Sequence, residues 1–283
     1  MIMRGFFCAL LAGILCLESM GGLFFRGNAA EEPGQPAAIL NDLQETENSQ
    51  PQELRLYAQA AVLLDADSGR VLYGKNEETP LAMASTTKIM TCILALENSN
   101  LNDVVKFSSY ATSMEPTKLY AKKGETFYMR HLLYSLMVPS HNDTAVAIAE
   151  HISGSTSKFV NLMNQKAAQI GCTNTHFATP NGLDKGLNHY TTASDLAKIA
   201  TYALKYPAFR TLISTQKRSF RSINTKRRFT VTTTNALLGN MPGVQGMKTG
   251  YTDKAGHCFV GLSKSAKGNT YISVVLGGKT SQS

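Results

Sequence analysis

Strand-like segments at both ends of this chain enclose a long helical middle, and that distribution leaves few folds open. Near the start, Ala60 to Asp65 reads as a strand, Ala66 to Gly69 as a turn and Arg70 to Gly74 as a returning strand. Towards the end, Gly246 to Tyr251, His257 to Ser263 and Tyr271 to Leu276 read as strands again. Between them, helical patterns run over Ser85 to Leu96, Met129 to Met137, Asp143 to Ile152, Lys158 to Ile170 and Ala193 to Lys205. The simplest solution is an α/β (α+β) domain: one sheet built from both chain ends, covered by a central helical insertion.

That domain starts late in the 283-residue chain. Residues 1–30 read as a signal peptide, with Arg4 as its basic start, an apolar run from Gly5 to Leu17, and small residues Gly27, Ala29 and Ala30 for cleavage. The apolar stretch resumes over Gly21 to Phe25, so an uncleaved anchor is the alternative. Either reading predicts an exported protein, in the periplasm or at the outer face of the membrane or wall. Residues 31–54, rich in Glu, Gln, Pro, Asn and Ser, read as a disordered linker, which leaves 55–283 for the folded domain. A formal charge of +8 suits an acidic partner such as wall polymer or anionic lipid, and with it membrane-surface association. Nucleic acid is not an expected partner of an exported chain. Beyond the signal, Cys92, Cys172 and Cys258 are too few and too widely spaced for a disulfide framework, and a Cys172–Cys258 bond has no support. Cys92, among Met90, Ile93 and Leu94, reads as a small core residue.

Three short motifs carry the chemistry: Ser85-Thr86-Thr87-Lys88, Ser140-His141-Asn142 and Lys248-Thr249-Gly250. Singly they are weak, because Ser-x-x-Lys recurs at Ser155 to Lys158 and at Ser214 to Lys217, and Ser-x-Asn at Ser222 to Asn224. Their order and context give them weight. Ser85 and Lys88, three apart, share a helix face, so a nucleophile and an amine base can meet. Lys88 acts as a base only when neutral, and burial with a second cation nearby, Lys248, would lower its pKa. Ser140 is placed to pass a proton to a leaving amine. Asn142 either orients Lys88 or accepts the substrate amide. Lys248 and Thr249 offer a charge and a hydroxyl to a carboxylate, and Gly250 leaves room for substrate to lie along the strand. The plainer reading makes Ser85, Ser140 or Asn142 ordinary helix caps and Lys248-Thr249-Gly250 a hairpin strand. No phosphate-binding loop or metal-ligand cluster is present, so neither metal nor cofactor is expected.

At these residues the chain resembles the serine D-alanyl-D-alanine carboxypeptidases, the low-molecular-mass penicillin-binding proteins. The similarity runs from about Ala60 to Leu276 and includes Ala84 to Thr91, Phe177 to Leu183, His189 to Ala193, Thr234-Asn235 and Gly246 to Thr252. The resemblance implies a β-lactamase/transpeptidase-like fold and removal of the terminal D-alanine from peptidoglycan stem peptides. It makes Ser85 the nucleophile, Lys88 the base and Ser140 the proton donor to the departing D-alanine. Lys248 and Thr249 hold the carboxylate, and the backbone N–H groups of Ser85 and Tyr251 form the oxyanion hole. It also implies acylation by β-lactam antibiotics, and a monomer is expected.

Two departures follow from the same comparison. His141 stands where a small residue is usual in the family. The family normally continues with another helix on the sheet; here that C-terminal helix is expected to be missing, which would leave an exposed apolar patch. Rival readings are an endopeptidase or transpeptidase acting on cross-links, a class A β-lactamase, and a non-catalytic wall-binding protein. The β-lactamase needs a Glu to activate the deacylating water, and Pro180 to Asp195 contains none.

Overall fold

The computed structural model describes residues 56–184 and 186–279; the expected signal and linker at 1–30 and 31–54 lie outside the described residues. Strands β1 (Ala60–Asp65) and β2 (Val71–Lys75) form the first hairpin. Strands β7 (Val244–Thr252), β8 (Gly256–Lys264) and β9 (Thr270–Gly278) form an antiparallel meander at the other end. The two meet where β1 pairs with β9, from Ala60 opposite Leu276 to Asp65 opposite Tyr271, giving one antiparallel sheet in the order β2-β1-β9-β8-β7. One sheet built from both chain ends is therefore what forms. It leaves β7 at an edge, a position that sequence pattern did not reveal.

Helices fill the interval and cover one face. A single 3₁₀ turn (Ala84–Thr87) runs into α1 (Lys88–Asn98), in which every residue from Lys88 to Ala95 is buried. A helix buried all round lies at the centre of a core rather than on its surface, and each fully buried Ile or Leu there contributes about 1.5–3 kcal/mol. Around it lie α2 (Ser109–Thr112), α3 (Met129–Met137), α4 (Asn142–Ser153), α5 (Thr156–Ile170), α6 (Ala193–Ala203) and α7 (Pro207–Ile213). Helix α5 begins where Ser155 Oγ accepts from the Lys158 N–H and ends at Gly171, whose φ of 88° suits a residue without a Cβ. Two ribbons went unpredicted: β3 (Val104–Lys106) with β4 (Thr126–Tyr128), and β5 (Lys217–Arg221) with β6 (Arg228–Thr232). The first is only three residues per strand. The second is mostly exposed and basic, so neither carries an apolar alternation long enough to read.

The bare patch expected where a further helix would pack is not found among the described residues. On the outer face of the sheet, Ala61, Leu63, Phe259, Tyr271 and Val275 are all buried, the most exposed at 8%. Leu56 and Ala58, just ahead of β1, and Leu237, between β6 and β7, join them in a second apolar cluster. The three cysteines are free and buried, and burial pushes the Cys258 thiol up to about 12, so they pack as inert small residues.

Candidate active site

The 3₁₀ turn, the start of α4 and edge strand β7 meet at one place, and each brings one motif. Ser85 lies in the turn rather than at a helix N-cap. The hydroxyls of Thr86 and Thr87 donate back to the carbonyls of Met83 and Ala84 and hold the turn. Lys88, one residue past it, points at Ser85: Nζ is 2.8 Å from Ser85 Oγ, 2.8 Å from Asn142 Oδ1 and 2.6 Å from the Asn181 carbonyl. A neutral amine has two N–H groups and one lone pair. Given to Asn142 and Asn181, the two N–H groups leave the lone pair facing the Ser85 hydroxyl, which is the arrangement a base needs.

Electrostatics favour that state. Lys88 is fully buried, and burial, then the charge of Lys248, hold its pKa well below the usual lysine value, while Asp143 pulls it back up. Lys248 is itself buried and pushed down to about 7 by desolvation; its Nζ donates to the Thr249 carbonyl at 2.6 Å. The expected second cation is thus present, on the strand opposite. The other Ser-x-x-Lys pairs do nothing comparable: Ser155 caps α5, and Ser214 Oγ donates to the Thr211 carbonyl.

Ser140 is nine-tenths buried, has φ of 73° and an Oγ with no hydrogen-bond partner among the described residues. A strained backbone and an uncommitted hydroxyl at a cleft are features kept where they serve a reaction. Asn142, expected either to orient Lys88 or to meet substrate, is already engaged. Besides accepting from Lys88, its Nδ2 donates to the Glu115 and Pro116 carbonyls at 3.2 and 3.1 Å. These bonds set it beside the lysine, as the first of the two readings expects. The cap of α4 is His141, which makes no side-chain cap bond. Its Nδ1 pairs with Ser135 Oγ at 2.8 Å, and burial then the Lys88 charge lower its pKa to about 4, so a neutral ring packs there.

Asp143 holds the rim. Its fully buried carboxylate accepts from the N–H groups of Leu119, Tyr120 and Thr144 at 2.8–3.0 Å, tying the 117–121 loop to the start of α4. Asp143→Ala strands those buried N–H groups and is expected to lower stability by about 2–4 kcal/mol; a urea midpoint equal to that of the parent protein would rule this out.

On β7, Gly250 closes against the nucleophile. A Cβ there would stand 2.9 Å from the Ser85 nitrogen, 3.1 Å from Ala84 Cβ and 3.2 Å from the Thr86 nitrogen. The N–H of Ser85 and the β7 backbone therefore sit side by side. Thr249 Oγ1 is 2.6 Å from Thr234 Oγ1, and the Tyr251 ring, 58% exposed, stands against His257 at 4.8 Å between centroids. Thr234, Asn181 and His189 were missed as site residues, although all three fall in the segments that carried the family resemblance. His189 Nδ1 accepts from the Ala178 N–H at 2.9 Å, which leaves its Nε2 as donor to Thr87 Oγ1 at 2.8 Å; the ring buttresses the turn. Among the described residues, no group of three or more His, Cys, Asp or Glu is placed to hold a metal.

A family model described as D-alanyl-D-alanine carboxypeptidase matches residues 44–280. D-alanyl-D-alanine carboxypeptidase DacF of Bacillus subtilis is 40% identical over 234 residues, covering 81% of this chain and 59% of the relative's length. A D-alanyl-D-alanine carboxypeptidase of Streptomyces sp. strain K15 is 35% identical over 225 residues, covering 74% of this chain and 77% of that one. The crystal structure of the Streptomyces K15 DD-transpeptidase superposes with a TM-score of 0.74 at 33% identity, over 80% of this chain and 91% of that one.

Proposed function

The chain belongs to the D-alanyl-D-alanine carboxypeptidase family, and we propose on that premise that it removes the terminal D-alanine from peptidoglycan stem peptides through an acyl-enzyme on Ser85. The observation that carries this reading is the buried Lys88 amine, 2.8 Å from Ser85 Oγ and backed by Asn142 and Asn181. Lys88 takes the hydroxyl proton as Ser85 Oγ attacks the carbonyl of the penultimate D-alanine. The oxyanion forms against the N–H groups of Ser85 and Tyr251. When the tetrahedral intermediate collapses, its C–N bond breaks and the Ser140 hydroxyl protonates the departing amine; Ser140 is recharged from the Lys88 ammonium. Lys248 and Thr249, with Thr234 behind it, hold the terminal carboxylate. Water then attacks the ester, with Lys88 again as base, and releases the shortened peptide. The strand-edge position of β7 supports substrate lying along it as an added strand. The reading places the chain at the outer face of the membrane or in the wall. No helix of the described residues is long and apolar enough to cross a membrane.

A second reading has its own support. The Streptomyces K15 structure is named a DD-transpeptidase, whereas its sequence is named a carboxypeptidase. Transfer to a second amine uses the same acyl-enzyme with a different acceptor.

Intact mass after adding penicillin tests both readings. We expect one lasting adduct per chain, absent in Ser85→Ala. Drug consumed with no accumulating adduct would indicate β-lactamase turnover instead, and neither adduct nor drug loss would indicate a protein that only binds.

The two lysines also predict a pH profile. Lys88 must be neutral, so kcat/KM rises with pH through its lowered pKa. Lys248 must be charged to hold the carboxylate, so kcat/KM falls as pH rises through about 7. The expected profile is a bell, and Lys248→Arg, which stays charged, is expected to lose the basic limb. An unchanged basic limb in that variant would remove Lys248 from this role.

A further inference from the structure

Between Asp195 and Asp253 the chain carries ten cationic side chains and no acidic one. Six of them, Lys217, Arg218, Arg221, Lys226, Arg227 and Arg228, lie on the β5–β6 ribbon or its turn. The two faces of this ribbon differ. Phe220 and Val231 are buried, and the inner face stacks onto β4 and α3: Phe127 lies 6.2 Å from Phe220 and 5.3 Å from Phe229, and His131 stacks on Phe220 at 5.2 Å. Because side chains alternate along a strand, Lys217, Ser219 and Arg221 face the other way. Their register partners are Thr232, Thr230 and Arg228, and all six are exposed.

That outer face is cationic at both ends and hydroxyl-lined between them. Ser219 Oγ and Thr230 Oγ1 are 2.8 Å apart across the strands. Arg221 sits directly opposite Arg228, a like-charge pairing that destabilises a ribbon unless an anion lies between the two. Among the described residues, Lys217, Arg221 and Arg228 form no ion pair; Arg227 alone of the six does, with the buried Glu125. Four steps along the strand set Lys217 about 13 Å from Arg221, so the charges form a track rather than a single pocket.

The ribbon is held firmly. Glu125 accepts from Thr225 Oγ1 and Arg227 Nη1 at 2.6 and 2.7 Å, and the Ile223 N–H donates to the Thr126 carbonyl at 2.8 Å. At the other end, Thr233 donates its N–H to the Gln216 carbonyl, and the next residue, Thr234, touches Thr249. The track therefore leads straight to the mouth of the acylation site.

We propose that the outer face of β5–β6 is a docking track for a linear phosphodiester polymer, which it holds beside the site where Ser85 reacts. Guanidinium forks pair with phosphate oxygens, and the Ser and Thr hydroxyls add neutral donors between them. The face has no aromatic residue on which a nucleobase would stack and no apolar residue that would enter a bilayer, which argues against nucleic acid and a membrane surface. Docking goes beyond the proposed reaction and does not require it.

Fluorescence anisotropy of dye-labelled poly(glycerol phosphate) tests the track, with a urea midpoint close to that of the parent protein confirming that each chain is folded. The parent protein and Ser85→Ala should bind equally, and more weakly at about 200 mM than at about 50 mM salt. The triple variant Lys217→Gln, Arg221→Gln, Arg228→Gln should bind at least about tenfold more weakly while still acylating. Lys264→Gln with Lys267→Gln, at the β8–β9 turn, should change binding by less than about twofold. Undiminished binding by the triple variant would overturn the proposal. So would poly-glutamate of matched charge binding as tightly, or phosphatidylglycerol vesicles binding where the polymer does not.

Discussion

Lys88→Met is expected to stay folded and to be acylated by penicillin about 10⁴-fold more slowly than the parent protein, the upper range for loss of a positioned base. Methionine matches the buried stem of the lysine but cannot take the Ser85 proton, and among the described residues no other base lies within hydrogen-bond distance of Ser85 Oγ. Stability should change in a different way. The folded pKa of Lys88 lies below the usual 10.5, so the native state binds fewer protons than the unfolded chain. Stability of the parent therefore declines as pH falls from 10.5 towards the folded pKa, and Met removes that dependence. Stopped-flow acylation and urea midpoints at several pH values separate the two effects. Acylation within about tenfold of the parent would mean that another group takes the proton.

Gly250→Ala should be nearly as damaging, through geometry alone. The new methyl would lie 2.9 Å from the Ser85 nitrogen, a distance that forces β7 and the 3₁₀ turn apart. In the proposed mechanism those two backbones supply the donors for the oxyanion, and losing one such donor costs about 10²–10³ in rate. We expect the loss in kcat and in acylation rate, with secondary structure unchanged. A fully active Gly250→Ala variant would show that the donors are not where the closeness of Ser85 and Gly250 puts them.

Much of this site was legible beforehand, for reasons that differ by residue. Ser85 and Lys88 are three apart, and one helical turn is enough to bring them together. The sequence named Lys248 as the cation that would lower the Lys88 pKa, but whether both lysines are buried was left open. The roles of Asn142 and Thr234 were not. Whether Asn142 meets substrate or Lys88 depends on the carbonyls of Glu115 and Pro116, which take up its other donors. The 98–128 and 206–245 stretches carry no long apolar period, so their short ribbons, including the basic one, emerged only in three dimensions. The expected bare patch is not seen: Leu56 and Ala58, just ahead of β1, and Leu237, far away in sequence, pack with the residues of the sheet's outer face.

Local pattern by itself determined the five longer helices, the five sheet strands and the three motifs, because each depends on residues a few positions apart; the short α2 and α7 were not read from it. It also implied that both chain ends share one sheet. Tertiary structure alone decided that β7 lies at the edge, that Lys88 and Lys248 are both buried, and that Gly250 touches the Ser85 backbone. These are long-range facts: a lowered pKa depends on which distant segments exclude water, and a free strand edge depends on which strands pair elsewhere.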